Sequence, residues 1–234
     1  MIVTRDFAFL HLHKSGGTFV NQFLLRYFAD AQLIGYHLPR AFLPPQCAAL
    51  PIFGLVRNPW DYYVSWYSFQ AARETPNALF SIVSDDGRLG FAATVENLVN
   101  IGDDSARLAR LAAALPEQFT NRGINLTKAC IRSLAGSSSG FYAWMFERMY
   151  GDGRGVVFGR METLRDDLRR FLETLGVPLD VGRREFLASH PPLNASQHPV
   201  RSALYDQRLR DLVARRDAAV IDRFGYDFTA AAAR

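Results

Sequence analysis

The stretch Phe7-Ala-Phe-Leu-His-Leu-His-Lys-Ser-Gly-Gly-Thr18 joins an apolar run to a pair of glycines. The apolar run has the length of one strand and predicts a buried strand at 7–12. The residues that follow place phenylalanine, valine, leucine and tyrosine on one helical face, which predicts a helix from about 17 to 28. The local pattern is therefore a strand, a tight turn and an amphipathic helix.

The turn in this stretch has the features of an anion site. Gly16 and Gly17 lack a Cβ, so we expect that a ligand can approach the backbone closely there. The N-terminus of the following helix offers unpaired N–H groups and the positive end of the helix dipole. Lys14 adds a full charge and Thr18 adds a hydroxyl. Phosphate is the common occupant of such a turn, so we expect a phosphate-bearing ligand.

The composition predicts a globular protein. The chain has 234 residues, of which 49% are hydrophobic, and this favours a single domain with a packed core. The net charge of +4 suits an anionic ligand, although no nucleic acid partner is indicated. Cys47 and Cys130 form no CxxC pair, which is typical of a reducing compartment. Since neither a leader nor an apolar run of spanning length is visible, we expect a cytoplasmic protein without a membrane span.

Strands and helices alternate along the rest of the chain. Further strands are predicted at 31–36, 51–56 and 155–159. Helices are predicted after Asn58, which is a natural N-cap before Pro59, with Trp60, Val64, Tyr67 and Ala71 facing inward, and also at 105–115, 141–149, 164–175 and 203–224. Thr163 and Asp166 suggest a variant capping box for the fourth of these helices. The piece from 182 to 199 is predicted as loop, and 74–150 as a helical insertion.

This alternation predicts an α/β fold with a mostly parallel central sheet and helices on both faces. Ligands of such folds bind outside the carboxyl ends of the strands. Four residues follow predicted strands and should gather at that edge, namely Lys14, His37, Arg57 and Arg160.

The pattern fits two other classes of site less well. A nucleotide-triphosphate P-loop places its lysine after the last glycine, whereas Lys14 precedes both glycines here. The strand at 51–56 is followed by Arg57 where a Mg²⁺-binding carboxylate would be expected. His11 and His13 alternate as in metal-dependent barrel hydrolases, but that fold usually needs about 250 residues and more ligands on later strands. His190 and His198 lie in the predicted late loop, so a metal site is not expected.

The motifs resemble those of a known family. His11-Leu-His-Lys-Ser-Gly-Gly-Thr18 is similar to the 5′-phosphosulfate loop of sulfotransferases that use 3′-phosphoadenosine-5′-phosphosulfate (PAPS). The nearest resemblance is to carbohydrate enzymes related to heparan sulfate 2-O- and 6-O-sulfotransferases, whose pattern is His-Ile-Pro-Lys-Thr-Gly-Gly-Thr. Arg57-Asn-Pro-Trp-Asp-Tyr-Tyr-Val-Ser65 resembles the family's 3′-phosphate motif, with Tyr62 in place of a frequent second arginine.

Weaker similarities continue downstream. Tyr36-His-Leu-Pro39 is similar to the Gly-His-Leu-Pro segment that carries a catalytic histidine in related enzymes. The segments 159–164, 194–196 and 224–226 look like landmarks of bacterial members, which together with the Ala/Arg-rich composition suggests a bacterial source. The resemblance thus spans most of 1–234 and implies one sulfotransferase domain with a P-loop-NTPase-like sheet.

The resemblance also implies a set of roles. The cofactor-binding residues would be Lys14, Ser15, Gly16, Gly17 and Thr18 at the 5′-phosphate, with Arg57 and Ser65 at the 3′-phosphate. Lys14 would also be catalytic, and His37 would take the proton of the acceptor hydroxyl. PAPS is then the co-substrate, adenosine 3′,5′-bisphosphate (PAP) the product, the acceptor a carbohydrate or another small hydroxyl compound, and no metal is needed.

Several alternatives stay open at the level of sequence. Glu162 follows a predicted strand and is a second candidate for the base. Arg57 could instead form an ion pair with a carboxylate such as Asp61. A kinase or NTPase, or a nucleotide-binding protein without catalysis, would also use an anion site. The sequence leaves open the oligomeric state and which hydroxyl compound is the acceptor.

Overall fold

The computed structural model describes residues 1–120, 124–191 and 200–229. The chain divides into two compact units, which are described one at a time. The first unit contains residues 1–57 and 147–191, and the second contains 58–120, 124–146 and 200–229. Within these described residues, no helix has the length and apolarity needed to cross a membrane.

The first unit is built on a five-stranded sheet in the order β3-β1-β2-β4-β5. Its strands are β1 (Ile2–Val3), β2 (Ala8–His11), β3 (Gln32–Leu33), β4 (Ile52–Val56) and β5 (Val156–Arg160). The three strands β2, β4 and β5 are parallel, whereas β1 is antiparallel to both of its neighbours. The predicted α/β class and the parallel centre of the sheet are confirmed.

The antiparallel edge of the sheet was not predicted. The sequence predicted a strand over 31–36, but β3 covers only Gln32 and Leu33, and both are exposed. β1 lies in a segment for which no strand was predicted. Strands of two residues are too short to show an alternation of polar and apolar residues, so the sequence does not reveal them. They form by pairing, β1 with the edge of β2 and β3 with β1.

Helices follow the strands and fill the second unit. They are α1 (Gly17–Tyr27), α2 (Pro59–Ala71), α3 (Ala78–Val83), α4 (Phe91–Val99), α5 (Ser105–Ala114), α6 (Lys128–Arg132), α7 (Phe141–Tyr150), α8 (Leu164–Thr174), α9 (Val181–Ser189), α10 (Gln207–Arg216) and α11 (Ala218–Phe224). The predicted helices at 17–28, 105–115, 141–149 and 164–175 are confirmed within one residue at each end.

Both faces of the two strands β2 and β4 are buried. On one face, aromatic residues of β2 and β4 pack against α1, α8 and α9, and Phe53 stacks on Phe171 with ring centroids 4.8 Å apart. On the other face, Leu10 and Val56 are fully buried, and Tyr150 at the end of α7 lies against Gly54. This explains why β4 reads as a continuous apolar run rather than an alternating one.

The start of α8 differs from the prediction. Thr163 donates its hydroxyl to Asp167 Oδ2 at 2.6 Å, and the Arg160 N–H donates to the same oxygen at 2.8 Å. The predicted pair of Thr163 with Asp166 is therefore wrong by one residue. The Asp167 carboxylate therefore links the end of β5 to the first turn of α8. The predicted stop at Gly176 is confirmed by its left-handed φ of 69°.

In the second unit, α2 begins as predicted. The Trp60 N–H donates to Asn58 Oδ1 at 3.1 Å, and Pro59 occupies the first helical turn. The predicted single inward face is wrong, because every residue from Pro59 to Trp66 is buried while Ala71 is exposed. The helix is thus enclosed over its first two turns, and a polar residue there needs a partner. Asp61 has one in Arg201, which is also buried.

Two further predictions in the C-terminal part are wrong. The piece predicted as loop from 182 contains α9, whose first turn is capped by Asp180 through the Arg183 N–H at 2.9 Å. The predicted single helix over 203–224 is broken into α10 and α11 at Asp217. Asp217 is fully buried and accepts from Tyr63 Oη and from the Ala143 N–H, each at 2.8 Å.

Candidate functional site

The glycine turn lies between β2 and α1, as the sequence predicted. Lys14 and Gly16 both adopt left-handed backbone, with φ of 61° and 87°. The Ser15 N–H and hydroxyl both donate to the Leu12 carbonyl, at 3.3 Å and 2.5 Å, and close the turn. The helix then begins at Gly17, so the N–H groups of its first turn take no part in the i to i−4 hydrogen bonds of the helix.

Gly17 is required by the neighbouring ring of His11, and Gly16 is favoured by its left-handed backbone. A Cβ on Gly17 would lie 2.3 Å from Cδ2 of His11. A Cβ on Gly16 would lie 2.5 Å from Sδ of Met161. From the sequence, we expected these glycines to make room for a ligand. In the structure, the imidazole ring of His11 occupies the Cβ position of Gly17, and the thioether of Met161 occupies that of Gly16. The turn is therefore pressed against its own unit.

Lys14 and Arg57 come together because β2 and β4 are adjacent and parallel. His11 is the register partner of Leu55, so the residues that follow these two leave the sheet at the same edge. Arg57 Nη1 donates to the Lys14 carbonyl oxygen at 3.0 Å. Both side chains are partly exposed. The geometry thus joins two positive charges to one turn at the start of α1.

The pKa of Lys14 is lowered by its surroundings in this pair. Burial and, as the smaller cause, the nearby charge of Arg57 together lower the pKa of Lys14 to about 8. A bound anion would act in the opposite sense, because it stabilises the protonated amine. The pair therefore favours a negatively charged ligand.

Three histidines form a cluster beside the turn. The ring centroid of His37 lies 4.5 Å from that of His11 and 5.3 Å from that of His13, and both pairs are edge-on. His11 and His13 are buried, and the Nδ1 atom of each has no hydrogen-bond partner among the described residues. Burial holds the pKa of both well below the usual range, with the neighbouring His37 as the next cause. The cluster is neutral at pH 7.

The hydrogen bond of His37 defines its tautomer. His37 Nδ1 lies 3.3 Å from the His11 carbonyl oxygen. Because a carbonyl oxygen only accepts, Nδ1 carries the proton and Nε2 holds the lone pair. Burial lowers the pKa of His37 to about 4, the bond to His11 opposes this shift, and the charge of Arg148 adds to it. His37 also has a positive φ of 52°, so its loop is held in an uncommon backbone conformation.

The remaining predicted site residues occupy different places. Thr18 is exposed in the first turn of α1, while Ser15 is buried with its hydroxyl bound inside the turn. Ser65 is buried on α2, in the second unit. Arg160 ends β5, and its N–H is bound by Asp167. Glu162, the alternative base, is half-buried in the short helical turn before α8.

Two residues at the end of α7 were missed by the sequence analysis. Tyr150 places its hydroxyl between β2 and β4, within hydrogen-bond distance of Leu12 and Leu55. Arg148 lies close enough to His37 to depress its pKa. Both lie in the last turn of a helix, whereas the sequence analysis looked for site residues directly after strands.

Metal ligation receives no support within the described ranges. No group of three or more His, Cys, Asp or Glu residues in 1–120, 124–191 and 200–229 has an arrangement that could hold a metal ion. His198 and the segment 194–196, to which the sequence analysis gave weight, lie outside the described residues. Asp61, which the sequence offered as a carboxylate partner for Arg57, accepts a hydrogen bond from Arg201.

The described first unit is therefore an α/β fold with a glycine turn and two cations at the edge of a parallel sheet. No family model matches the sequence, and no curated protein matches it. Among solved structures, the chain is similar to the mouse sulfotransferase SULT7A1 complexed with PAP. The two share 16% sequence identity, and the match covers 91% of this chain and 75% of that chain with a TM-score of 0.41. A likeness at this level does not assign an activity.

Proposed function

We propose that this protein is a sulfotransferase that moves the sulfuryl group of PAPS to an acceptor hydroxyl. The observation that carries the proposal is the joining of Arg57 to the carbonyl of Lys14 at the start of α1. Two phosphate groups on one nucleotide need two cationic positions, and the bond to the Lys14 carbonyl supports Lys14 and Arg57 as those positions. The motif resemblance of the same two segments supports the same donor.

The motif resemblance assigns a role to each residue of the proposed site. The first N–H groups of α1, with the Thr18 hydroxyl, bind the 5′-phosphate, and Ser15 shapes the turn. Arg57 offers a planar fork to the 3′-phosphate. Ser65 is assigned to the same phosphate by the motif resemblance alone. Lys14 neutralises the charge that grows on the bridging oxygen as its bond to sulfur breaks.

The transfer is an in-line displacement. The acceptor oxygen forms a bond to sulfur while the bond between sulfur and the 5′-phosphate oxygen breaks, and that electron pair leaves with PAP. His37 accepts the hydroxyl proton at Nε2, which its bond to the His11 carbonyl leaves unprotonated. A base with a pKa of about 4 is weak, but the hydroxyl becomes strongly acidic as its oxygen bonds to sulfur. The acceptor is a carbohydrate or another small hydroxyl compound.

Calorimetric titration tests the donor site directly. Without metal, the protein should bind PAP more tightly than 5′-AMP, and it should not prefer ATP. Arg57→Ala should lower the affinity for PAP by about 10²-fold and that for 5′-AMP by a clearly smaller factor, which reflects the lost bond to the Lys14 carbonyl. Lys128→Ala is the matched control, because Lys128 pairs with Glu117 on the second unit.

Turnover is then measured with sulfur-labelled PAPS against a panel of hydroxyl acceptors. Lys14→Ala should lower turnover by about 10²-fold or more while the fold is kept. ATP binding that appears only with Mg²⁺ would instead indicate the kinase or NTPase class. Tight PAP binding with no transfer to any acceptor would indicate a nucleotide-binding protein without catalysis.

A further inference from the structure

The hydroxyl of Tyr150 lies inside the ladder between β2 and β4. The N–H groups of Leu12 and Leu55 approach the hydroxyl oxygen at 3.2 Å and 2.9 Å. The hydroxyl itself donates to the Leu55 carbonyl at 2.6 Å. In a parallel ladder these backbone groups bond directly from strand to strand. Here one side-chain oxygen also forms hydrogen bonds with backbone groups of both segments, at the point where the two strands end.

This point is equally close in sequence to both cations. Leu12 is two residues before Lys14, and Leu55 is two residues before Arg57. Past the hydroxyl, the two segments are joined again by the bond from Arg57 Nη1 to the Lys14 carbonyl. The separation of the two cationic positions is thus fixed by a pair of cross-links, and Tyr150 supplies the one nearer the sheet.

The ring of Tyr150 is held so that its hydroxyl cannot turn away. A Cβ on Gly54 would lie 2.9 Å from Cε1 of Tyr150, so the ring rests on the bare backbone of β4. Phe158 of β5 packs edge-on against the ring, with centroids 5.0 Å apart. Tyr150 is fully buried, and this burial raises its pKa, so the hydroxyl keeps its proton and its role as a donor.

We propose that Tyr150 is a positioning residue that sets the distance between the 5′-phosphate and 3′-phosphate positions of the donor site. The proposal rests on the proposed function, because it needs a ligand that reaches Lys14 and Arg57 at once. A ligand with two phosphates is sensitive to that distance, whereas a ligand with one phosphate is not. Tyr150 touches neither phosphate in this scheme and acts only through the two strands.

The test compares Tyr150→Phe with Tyr27→Phe. Both changes remove one hydroxyl from the first unit, and the hydroxyl of Tyr27 bonds to Gly182, away from the turn. Calorimetry with PAP and with 5′-AMP gives the ratio of the two affinities for each protein. Tyr150→Phe should lower that ratio by about tenfold with little change for 5′-AMP, while Tyr27→Phe keeps the ratio of the unmodified protein.

Amide hydrogen exchange gives a readout that needs no ligand. In Tyr150→Phe, the N–H groups of Leu12 and Leu55 lose the hydroxyl as a hydrogen-bond partner and should exchange faster, while those of α8 do not change. If Tyr150→Phe does not fold, Phe158→Leu replaces it, since this variant keeps the hydroxyl but loosens the ring. The affinity ratio should then fall in the same direction by a smaller factor.

The outcomes separate this proposal from the proposed function. A protein that does not prefer PAP to 5′-AMP overturns the proposed function and this proposal with it. A selective protein whose affinity ratio is unaltered in Tyr150→Phe overturns this proposal alone. Equal losses for both ligands also overturn it, because they indicate a general loss of structure rather than a changed distance.

Discussion

Arg57 Nη1 donates to the carbonyl oxygen of Lys14 at 3.0 Å, so one cation of the site holds the backbone of the other. A guanidinium has five N–H donors in a rigid plane, which lets one edge bind the turn while others face a ligand. Lysine cannot do both, because its single nitrogen is a point charge on a flexible chain. Arg57 therefore has a structural and an electrostatic role that a substitution can separate.

Arg57→Lys should keep the charge and lose the tie to the turn. We expect the affinity for PAP to fall by about tenfold in Arg57→Lys and by about 10²-fold in Arg57→Ala. Calorimetry at two salt concentrations checks this, since salt screens the part of the binding free energy that depends on charge alone. Equal affinities for the two variants would show that the fork geometry does not matter.

Gly17→Ala should disturb the turn through His11. The new Cβ would lie 2.3 Å from the imidazole ring, so the variant should lose about 1–3 kcal/mol of unfolding free energy. His11→Ala removes the obstructing ring, and Gly17→Ala should cost much less in that background. A double-mutant cycle of chemical denaturation measures the coupling. Additive losses would mean that the ring is not the obstacle.

The pH dependence of turnover should report Lys14 and His37. Because the pKa of Lys14 is lowered to about 8, kcat/KM should fall above that pH as the amine loses its charge. Lys14→Arg should move this alkaline limb out of range if some turnover remains. The pKa of His37 is lowered to about 4, so Nε2 stays available down to about pH 5.

His37→Ala tests the choice of base. Turnover should fall by about 10²-fold or more while the affinity for PAP changes little. Glu162→Gln serves as the comparison, because Glu162 is the other candidate base. If Glu162→Gln is the slower variant, the base is Glu162 and His37 has a packing role.

Asp217 should make the second unit less stable as pH rises. Burial raises its pKa from about 3.8 to about 7, opposed by its bonds to Ala143 and Tyr63 and by the charge of Arg216. Between these two values the unfolded carboxylate ionises while the folded one keeps its proton, so folding stability decreases with pH. The full effect is about 4 kcal/mol and is complete above pH 7.

Asp217→Asn provides the reference without this titration. The stability of the unmodified protein relative to Asp217→Asn should decrease from pH 4 to pH 7 and then level off. Tryptophan fluorescence in urea follows the second unit, which contains Trp60, Trp66 and Trp144. A difference that is constant with pH would show that Asp217 is ionised in the folded protein.

The sequence predicted the parts of the fold that depend on neighbours along the chain. The strand, turn and helix around Gly16, the N-cap at Asn58 and the stop at Gly176 were all found where expected. Each of these features is decided within about one or two helical turns, by side-chain periodicity or by a cap. The break at Asp217 was missed because its cause is a bond to Tyr63, which is 154 residues away.

The same division holds for the candidate site. Local chemistry alone pointed to the glycine turn, to Lys14 and to Arg57 as parts of an anion site. Only the tertiary structure joined Arg57 to the Lys14 carbonyl across 43 residues and inserted Tyr150 beside Leu55 across 95. Such contacts carry no periodic signal, because they depend on which strands become neighbours and on how the rings of the core pack between them. The sequence by itself thus determined the chemical groups of the site, and the tertiary structure decided their distances and protonation.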